Sequence, residues 1–266
     1  MKKQLALAAL FLFFTCRLFS QSNDGGHYFT SFDSTKIYYE TIGKGYPVIL
    51  VHGFSSTSQG WKNCLVYDDL VGAGFKVILI DQRGNGLSDK PHTDAAYAND
   101  AEAKDIMGLI SFLNIKRYDA VGYSRGSIIV SRLMLFDKRV RRAVMGGMGD
   151  AFTNPDWPRR VHAYLALMGD TTHHDVDEMI NYIHSQHFDE LVMALQQKYQ
   201  PSTSPKDLSA IKIPVLIIRG NEDKENGSET WLRRLIPKSS LVYVPGNHNT
   251  AIQTPEFGDA VLAFVR

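Results

Sequence analysis

The chain has 266 residues, 44% of them hydrophobic, which suffices for one sizeable core in a single domain with an insertion. Its 29 basic and 28 acidic side chains leave a formal charge of +1. This balance excludes an electrostatic case for nucleic acid or an anionic membrane surface as a partner. It favours a small, neutral or weakly charged substrate.

The first twenty residues have the layout of a secretory signal peptide. Two lysines form a basic start, residues 5–14 are apolar, and Ser20 precedes a polar stretch. We expect cleavage near Ser20 and export to the periplasm or the medium. Two alternatives stay open: an uncleaved membrane anchor, although the apolar run is short for a bilayer span, and lipid attachment at Cys16. Cleavage would leave Cys64 without an intrachain partner, so no disulfide is expected.

Eight strand-like runs follow in chain order, and the first two, joined by a short polar turn, predict an antiparallel hairpin. The later runs are continuous and apolar, as in a parallel sheet that is buried on both faces. Segments with helical spacing alternate with them, which predicts a doubly wound α/β domain with a mostly parallel, eight-stranded sheet. The predicted strands are 28–32, 36–41, 48–51, 77–80, 120–122, 143–145, 215–218 and 241–244.

Helical spacing of apolar residues predicts one helix at 97–113 and another after Gly122. The alternation of strands and helices stops between 149 and 211, where 159–168 and 176–199 are predicted to be helices bounded by prolines. We therefore predict a helical cap at 149–211 over a pocket, with 21–148 and 212–266 as the core. The apolar side of the helix after Gly122 consists of Ile128, Ile129, Leu133 and Phe136.

The most informative motif is G-x-S-x-G at residues 122–126, with Ser124 at its centre. It follows a predicted strand and opens a predicted helix, which is the setting of a nucleophile elbow. The flanking glycines leave room for a tight, strained turn around the serine. A glycine-serine turn in a structural or phosphate-binding loop is the alternative interpretation.

A serine hydroxyl is a weak nucleophile and needs a base, which in turn needs a group to orient it. Asp223 comes after the strand predicted at 215–218, and His248 comes after the strand predicted at 241–244. Both therefore lie at the carboxyl ends of parallel strands, at the edge that also carries Ser124. Asp150 and Glu222 are the alternatives to Asp223 as the acid.

Two further motifs accompany these residues: His52-Gly53-Phe54 after the third strand, and DQRGNGLS at 81–88 after the fourth. With the elbow and the chain order Ser, Asp, His, they make the sequence similar to the capped α/β-hydrolases from about residue 28 onwards. The resemblance implies an oxyanion hole formed by the backbone N–H groups of Phe54 and Arg125. Dehalogenases and epoxide hydrolases of this superfamily have aspartate as the nucleophile, so Ser124 argues against those reactions.

The sequence thus predicts a carboxylesterase-like serine hydrolase in which Ser124, His248 and Asp223 cleave an ester or related acyl bond without a cofactor or metal. The expected partner is a small-molecule ester or acyl substrate, with no nucleic acid and no membrane span in the mature protein. Hydrolysis of a carbon–carbon bond, lactone or amide, peracid formation, and a non-catalytic receptor role stay open. So does the oligomeric state.

Several other side chains have two interpretations. His184 and His187 are spaced to share a helical face, as metal ligands would, but no further ligand completes a site, which favours an exposed polar face. The Arg125 side chain binds either a substrate carboxylate or an acidic or cap residue. His52 is expected to pack or hydrogen-bond beneath the oxyanion loop. Five apolar residues line the pocket or form the core of the cap: Trp157, Tyr164, Met168, Phe188 and Met193.

Overall fold

The computed structural model describes residues 23–266, so the predicted signal peptide and Cys16 lie outside the described residues. Within 23–266, no helix combines the length and the apolar character needed to cross a bilayer. The strands are β1 (Asn23–Thr30), β2 (Lys36–Ile42), β3 (Pro47–Val51), β4 (Lys76–Ile80), β5 (Tyr118–Tyr123), β6 (Val140–Gly146), β7 (Val215–Gly220) and β8 (Ser239–Val244).

These strands form one eight-stranded sheet in the order β1-β2-β4-β3-β5-β6-β7-β8. β1 pairs with β2 and β2 with β4 in antiparallel fashion, while all the other pairings are parallel. This arrangement confirms the predicted fold class and the opening hairpin. The first strand begins earlier than predicted, at Asn23. It also ends earlier, at Thr30, because residues 31–34 turn back: Ser31 N–H donates to Thr35 O, and Ser34 has a φ of 71°.

Helices cover both faces of the sheet. They are α1 (Ser58–Lys62), α2 (Leu65–Gly72), α3 (Ala101–Phe112), α4 (Arg125–Phe136), α5 (Pro158–Leu167), α6 (Asp177–Ser185), α7 (Glu190–Lys198), α8 (Pro205–Ala210), α9 (Glu229–Leu235) and α10 (Pro255–Val265). Side chains of α3, α4, α8 and α9 pack on one face, and those of α1, α2 and α10 pack on the other. Alternate residues of β3 enter the two cores, as the two-residue repeat of a strand requires.

The predicted helix at 97–113 begins only at Ala101. Asn99 and Asp100 both have positive φ values, 57° and 59°, which interrupt a helix. Phe136, predicted on the covered side of α4, is instead half exposed, and the Arg132 guanidinium lies 4.7 Å from the centre of its ring. Contact with the guanidinium shields one ring face from water without burying the ring in the core.

The helices α5, α6 and α7 follow β6 and precede β7 in the chain. They share a small core of their own, which includes Ile183 and Met193. The single helix predicted at 176–199 is wrong, because α6 ends at Ser185 and α7 begins at Glu190. His187 between them has a φ of 54°, and Asp189 caps α7 by accepting a hydrogen bond from Val192 N–H. His184 and His187 therefore do not share a helical face.

A buried ionic network joins the loop after β4 to α3 and to the cap. The fully buried Arg83 binds Asp105 through two hydrogen bonds of 2.6 and 2.7 Å, and it also binds Asp33 at 2.7 Å. The Gln196 amide of α7 donates to Arg83 O and Asn85 Oδ1, both at the same loop. The network therefore fixes one end of the cap to the sheet.

Replacing Asp105 by alanine should be strongly destabilising. Breaking a buried ion pair leaves a desolvated charge, so we expect Asp105→Ala to lower the free energy of unfolding by about 3–5 kcal/mol in urea denaturation. The control is Asp94→Ala, which removes the exposed pair with Lys198 and should leave the denaturation midpoint nearly unchanged. Equal midpoints for the two variants would contradict the role assigned to the Arg83 network.

Candidate active site

Ser124 lies on a sharp turn between β5 and α4. Its φ of 51° and ψ of −123° are strained for a residue with a side chain. The flanking glycines make the turn possible: a Cβ at Gly122 would lie 2.4 Å from Gly126 O, and one at Gly126 would lie 2.1 Å from Val51 O. The turn is held by the Ser124 N–H group, which donates to Gly146 O of β6 at 2.8 Å.

The imidazole of His248 lies between Ser124 and Asp223. Its Nε2 is 2.9 Å from Ser124 Oγ, and its Nδ1 is 3.0 Å from Asp223 Oδ2. The Tyr123 hydroxyl donates to His248 O at 2.7 Å and so fixes the loop that carries the imidazole. The structure thus brings together the three side chains that the sequence singled out, which come from the ends of β5, β7 and β8.

Of the three acidic candidates, Asp223 alone bonds the imidazole. Its side chain is 0% exposed, and its Oδ1 accepts a hydrogen bond of 3.0 Å from Glu225 N–H. Asp150 lies in a different setting, because its Oδ1 accepts from Ser228 N–H at 2.7 Å. Glu222 is exposed. With Nδ1 facing the carboxylate, the imidazole can keep its Nε2 free to accept the serine proton.

Two residues that the sequence analysis did not identify support the loop after β7 that carries Asp223, here called the acid loop. Arg219 is buried at the end of β7, donates through Nε to Asp223 O at 3.1 Å, and has its guanidinium 3.5 Å from Asp223 Oδ1. Asn226 donates to Gly147 O at 3.1 Å and lies 3.4 Å from His248 Nδ1. An arginine that directly extends an apolar, buried strand was the available signal for the first. The turn sequence Asn226-Gly227 was the signal for the second.

The loop after β3 brings Phe54 close to the elbow, since a Cβ at Gly53 would lie 3.3 Å from Ser124 Cβ. Arg125 is the first residue of α4, so its N–H has no acceptor within the helix. Among the hydrogen bonds of residues 23–266, the N–H groups of Phe54 and Arg125 have no acceptor. The helix N-terminus adds a partial positive charge at the same place.

His52 holds the loop from beneath. Its Nε2 accepts a hydrogen bond of 3.1 Å from Gln82 N–H, so Nδ1 carries the proton and donates to Gly53 O at 2.8 Å. Burial lowers the pKa of His52 below its ordinary value, which keeps the ring neutral. The neutral ring satisfies both contacts and places no charge near the serine.

The Arg125 side chain is not free to bind a substrate. Its guanidinium forms two hydrogen bonds of 2.6 and 2.7 Å with the Glu102 carboxylate of α3 and a third with Gln196 O of the cap. Of the two interpretations from the sequence, the structure therefore favours a bridge between α3, the elbow and the cap.

A cavity of about 620 Å³ opens above Ser124 and His248. Trp61 forms part of its floor on the core side, while Trp157, Met179 and Tyr182 contribute from the cap. Of the five apolar cap residues considered from the sequence, only Trp157 lines the cavity. Met168 is exposed, and the others pack in the cap core: Tyr164, Phe188 and Met193. Cavities of this size suit small molecules.

Comparisons with known proteins agree with this architecture. A family model described as the alpha/beta hydrolase fold matches residues 46–175. The chain is 32% identical over 136 residues to the non-heme chloroperoxidase of Streptomyces lividans, which covers 48% of each protein. It is 28% identical over 229 residues to the 2-hydroxy-6-oxo-2,4-heptadienoate hydrolase of Pseudomonas putida, covering 75% of this chain and 81% of that enzyme.

Among solved structures, an esterase from Exiguobacterium antarcticum superposes with a TM-score of 0.74 at 24% identity, covering 91% of this chain and 99% of the esterase. This likeness extends the agreement in fold to nearly the whole length of the chain. The chain spans about half the length of the chloroperoxidase.

A methyl group at residue 122 should disturb the elbow. Because the added Cβ would meet the backbone of Gly126 and Ser127, we expect Gly122→Ala to lower the free energy of unfolding by about 1–3 kcal/mol. Gly72→Ala is the matched control, since nothing lies within 4 Å of its Cβ position. Thermal unfolding followed by circular dichroism compares the two, and equal losses would contradict the crowding at the elbow.

Burial of neutral His52 also predicts a pH dependence. Below about pH 6.5 the unfolded imidazole takes up a proton, whereas the folded imidazole resists it. The stability that this residue contributes is therefore present above pH 6.5 and is lost as the pH falls. Urea denaturation of His52→Gln between pH 7 and pH 5 should show a shallower decline than the parent protein. His174→Gln, at an exposed position, should decline like the parent.

Proposed function

Because the chain belongs to the alpha/beta hydrolase superfamily, we propose that it is a serine hydrolase that cleaves an ester or related acyl bond of a small molecule. The observation that carries this proposal is the unbroken chain of hydrogen bonds from Ser124 through His248 to Asp223, at 2.9 and 3.0 Å. Nucleophile, base and orienting acid lie at hydrogen-bonding distance, which acyl transfer by a serine requires.

In the first half of the reaction, Ser124 Oγ attacks the carbonyl carbon and His248 Nε2 takes the hydroxyl proton. The negative charge that develops on the carbonyl oxygen is stabilised by the N–H groups of Phe54 and Arg125, which typically contributes a few kcal/mol. Asp223 keeps the imidazole in the required tautomer and stabilises its protonated form. The imidazolium then gives its proton to the departing alcohol, which leaves an acyl group on Ser124.

In the second half, a water molecule attacks the acyl carbon while His248 Nε2 takes one of its protons. Collapse of the tetrahedral intermediate returns the proton to Ser124 Oγ and releases a carboxylic acid. Apart from the substrate and this water molecule, both halves use only these side chains and backbone N–H donors. The cavity lets the cap residues Trp157, Met179 and Tyr182 contact the acyl or alcohol part of the substrate.

The same residues also support carbon–carbon, lactone or amide hydrolysis and peracid formation. The two relatives that share sequence with the chain are named for different reactions, one as a non-heme chloroperoxidase and the other as a heptadienoate hydrolase. An ester is the simplest substrate for this arrangement, because an alcohol leaves more readily than an amine or a carbanion. A panel of p-nitrophenyl esters of graded chain length, a lactone, an anilide and a vinylogous diketone distinguishes these reactions.

Replacing Ser124 by alanine removes the nucleophile and should lower kcat/KM for p-nitrophenyl acetate by at least about 10³-fold. A fluorophosphonate probe should label the parent protein once, at Ser124, and should not label Ser124→Ala. Ser185→Ala, at an exposed position on the cap, is the matched control and should keep full activity and labelling. A folded parent protein that neither turns over the panel nor reacts with the probe would instead favour a ligand-binding role.

A further inference from the structure

The link between α5 and α6 is rich in imidazole and carboxylate groups that the proposed reaction does not use. Residues 170–175 have the sequence Asp-Thr-Thr-His-His-Asp, and His162 projects towards them from α5. None of Asp170, His173 and Asp175 lines the cavity above Ser124. These polar side chains thus form a separate cluster on the cap.

Three ligand atoms converge in this cluster. His162 Nδ1 lies 2.9 and 3.0 Å from the two carboxylate oxygens of Asp175. The rings of His162 and His173 are stacked, with their centres 4.0 Å apart and their planes within 9°. One nitrogen from each histidine and one oxygen of Asp175 all lie within 4.8 Å of one another. A second carboxylate is close, because Asp170 Oδ2 lies 3.8 Å from His173 Nε2.

We propose that His162, His173 and Asp175 form a binding site for a divalent transition-metal ion of the zinc type. Two imidazoles and one carboxylate are a ligand set that Zn²⁺ uses in proteins, whereas Mg²⁺ and Ca²⁺ prefer all-oxygen sites. Asp170 is available as a fourth ligand or as a hydrogen-bond acceptor that orients the His173 ring, the usual partner of a metal-bound imidazole.

Small movements suffice to close the site on an ion. Two nitrogens bound at about 2.1 Å by one tetrahedral zinc ion lie about 3.4 Å apart, so the ligand atoms, which lie within 4.8 Å of one another, must approach by at most about 1.4 Å. The lone pairs of stacked rings run side by side, and at least one ring must turn about its Cβ–Cγ bond for both to point at the ion. This torsion is broad and soft, the two histidines are partly exposed, and Asp175 is exposed.

The position of the cluster gives the ion a structural consequence. α5 carries Arg159 and Arg160, which line the cavity, and α6 carries Met179 and Tyr182, which line it as well. A metal ion bound by His162 of α5 and by the residues just before α6 would cross-link these two helices. Because the site exists only in the folded arrangement, the ion would stabilise the cap, and the stabilisation would rise with the logarithm of the ion concentration once that exceeds the Kd.

Isothermal titration calorimetry with ZnCl₂ tests the site on the full protein, purified without a histidine tag and freed of metal with EDTA. We expect one zinc ion per chain and an increase of Tm on zinc addition. His162→Ala, His173→Ala and Asp175→Ala should each weaken binding at least about 10-fold, since even the loss of an outer-shell partner costs that much. The double variant His162→Ala/His173→Ala should show no zinc-dependent increase of Tm.

His174→Ala is the matched control, because His174 is the sequence neighbour of His173 but its side chain is 79% exposed and contacts Asp177 instead. It should bind zinc like the parent, and so should Ser124→Ala, which separates this site from the proposed reaction. The Tm values without metal show whether each variant is folded. Absence of zinc binding by the parent, or unchanged binding by the folded double variant, would overturn the proposal and leave the cluster as a set of His–Asp pairs.

Discussion

The strained turn that carries Ser124 is the constraint on which the rest of the structure depends. A positive φ at a residue with a side chain costs of order 1–3 kcal/mol, so the surrounding packing must hold it. Flanking glycines remove the Cβ atoms that would strike the backbone, and the Ser124 N–H and Ser127 hydroxyl groups both bond to Gly146 O. The turn directly follows β5, an interior strand of the sheet in which every residue is buried, so it is attached to a firmly packed part of the fold.

The sheet could be predicted from the sequence because strands buried on both faces must be apolar without interruption, and such runs are hard to mistake. The helices of the cap were harder to predict from the sequence. The break between α6 and α7 occurs at Gln186-His187-Phe188, with no glycine or proline to mark it, and a left-handed histidine is visible only in the backbone angles. Phe136 was misplaced for a related reason, since helical spacing does not show that a neighbouring arginine covers the ring.

The three central residues of the site could be found because parallel strands deliver their following loops to one edge, whatever the distances along the chain. The residues that line the cavity could not be predicted, because tertiary packing sets the rotation of each cap helix about its axis. Trp157 faces the cavity, whereas Met193 faces the cap core. Arg219 and Asn226 could not be identified from the sequence, because Arg219 bonds to the backbone of Asp223 and Asn226 contacts the ring of His248. Neither belongs to a motif that carries chemistry by itself.

The cap and the proposed catalytic groups are mechanically connected at two places. On one side, Arg125 joins the elbow to Glu102 of α3 and to Gln196 O of α7 through charged hydrogen bonds. On the other side, Asn226 O accepts from the N–H groups of Gly149 and Ala151, where the chain leaves the sheet for the cap, while the Asn226 side chain contacts the His248 ring. A displacement of either end of the cap must therefore strain the nucleophile turn or the acid loop. Contacts made on the cap are thus connected to the geometry of the hydrogen bonds that join Ser124, His248 and Asp223.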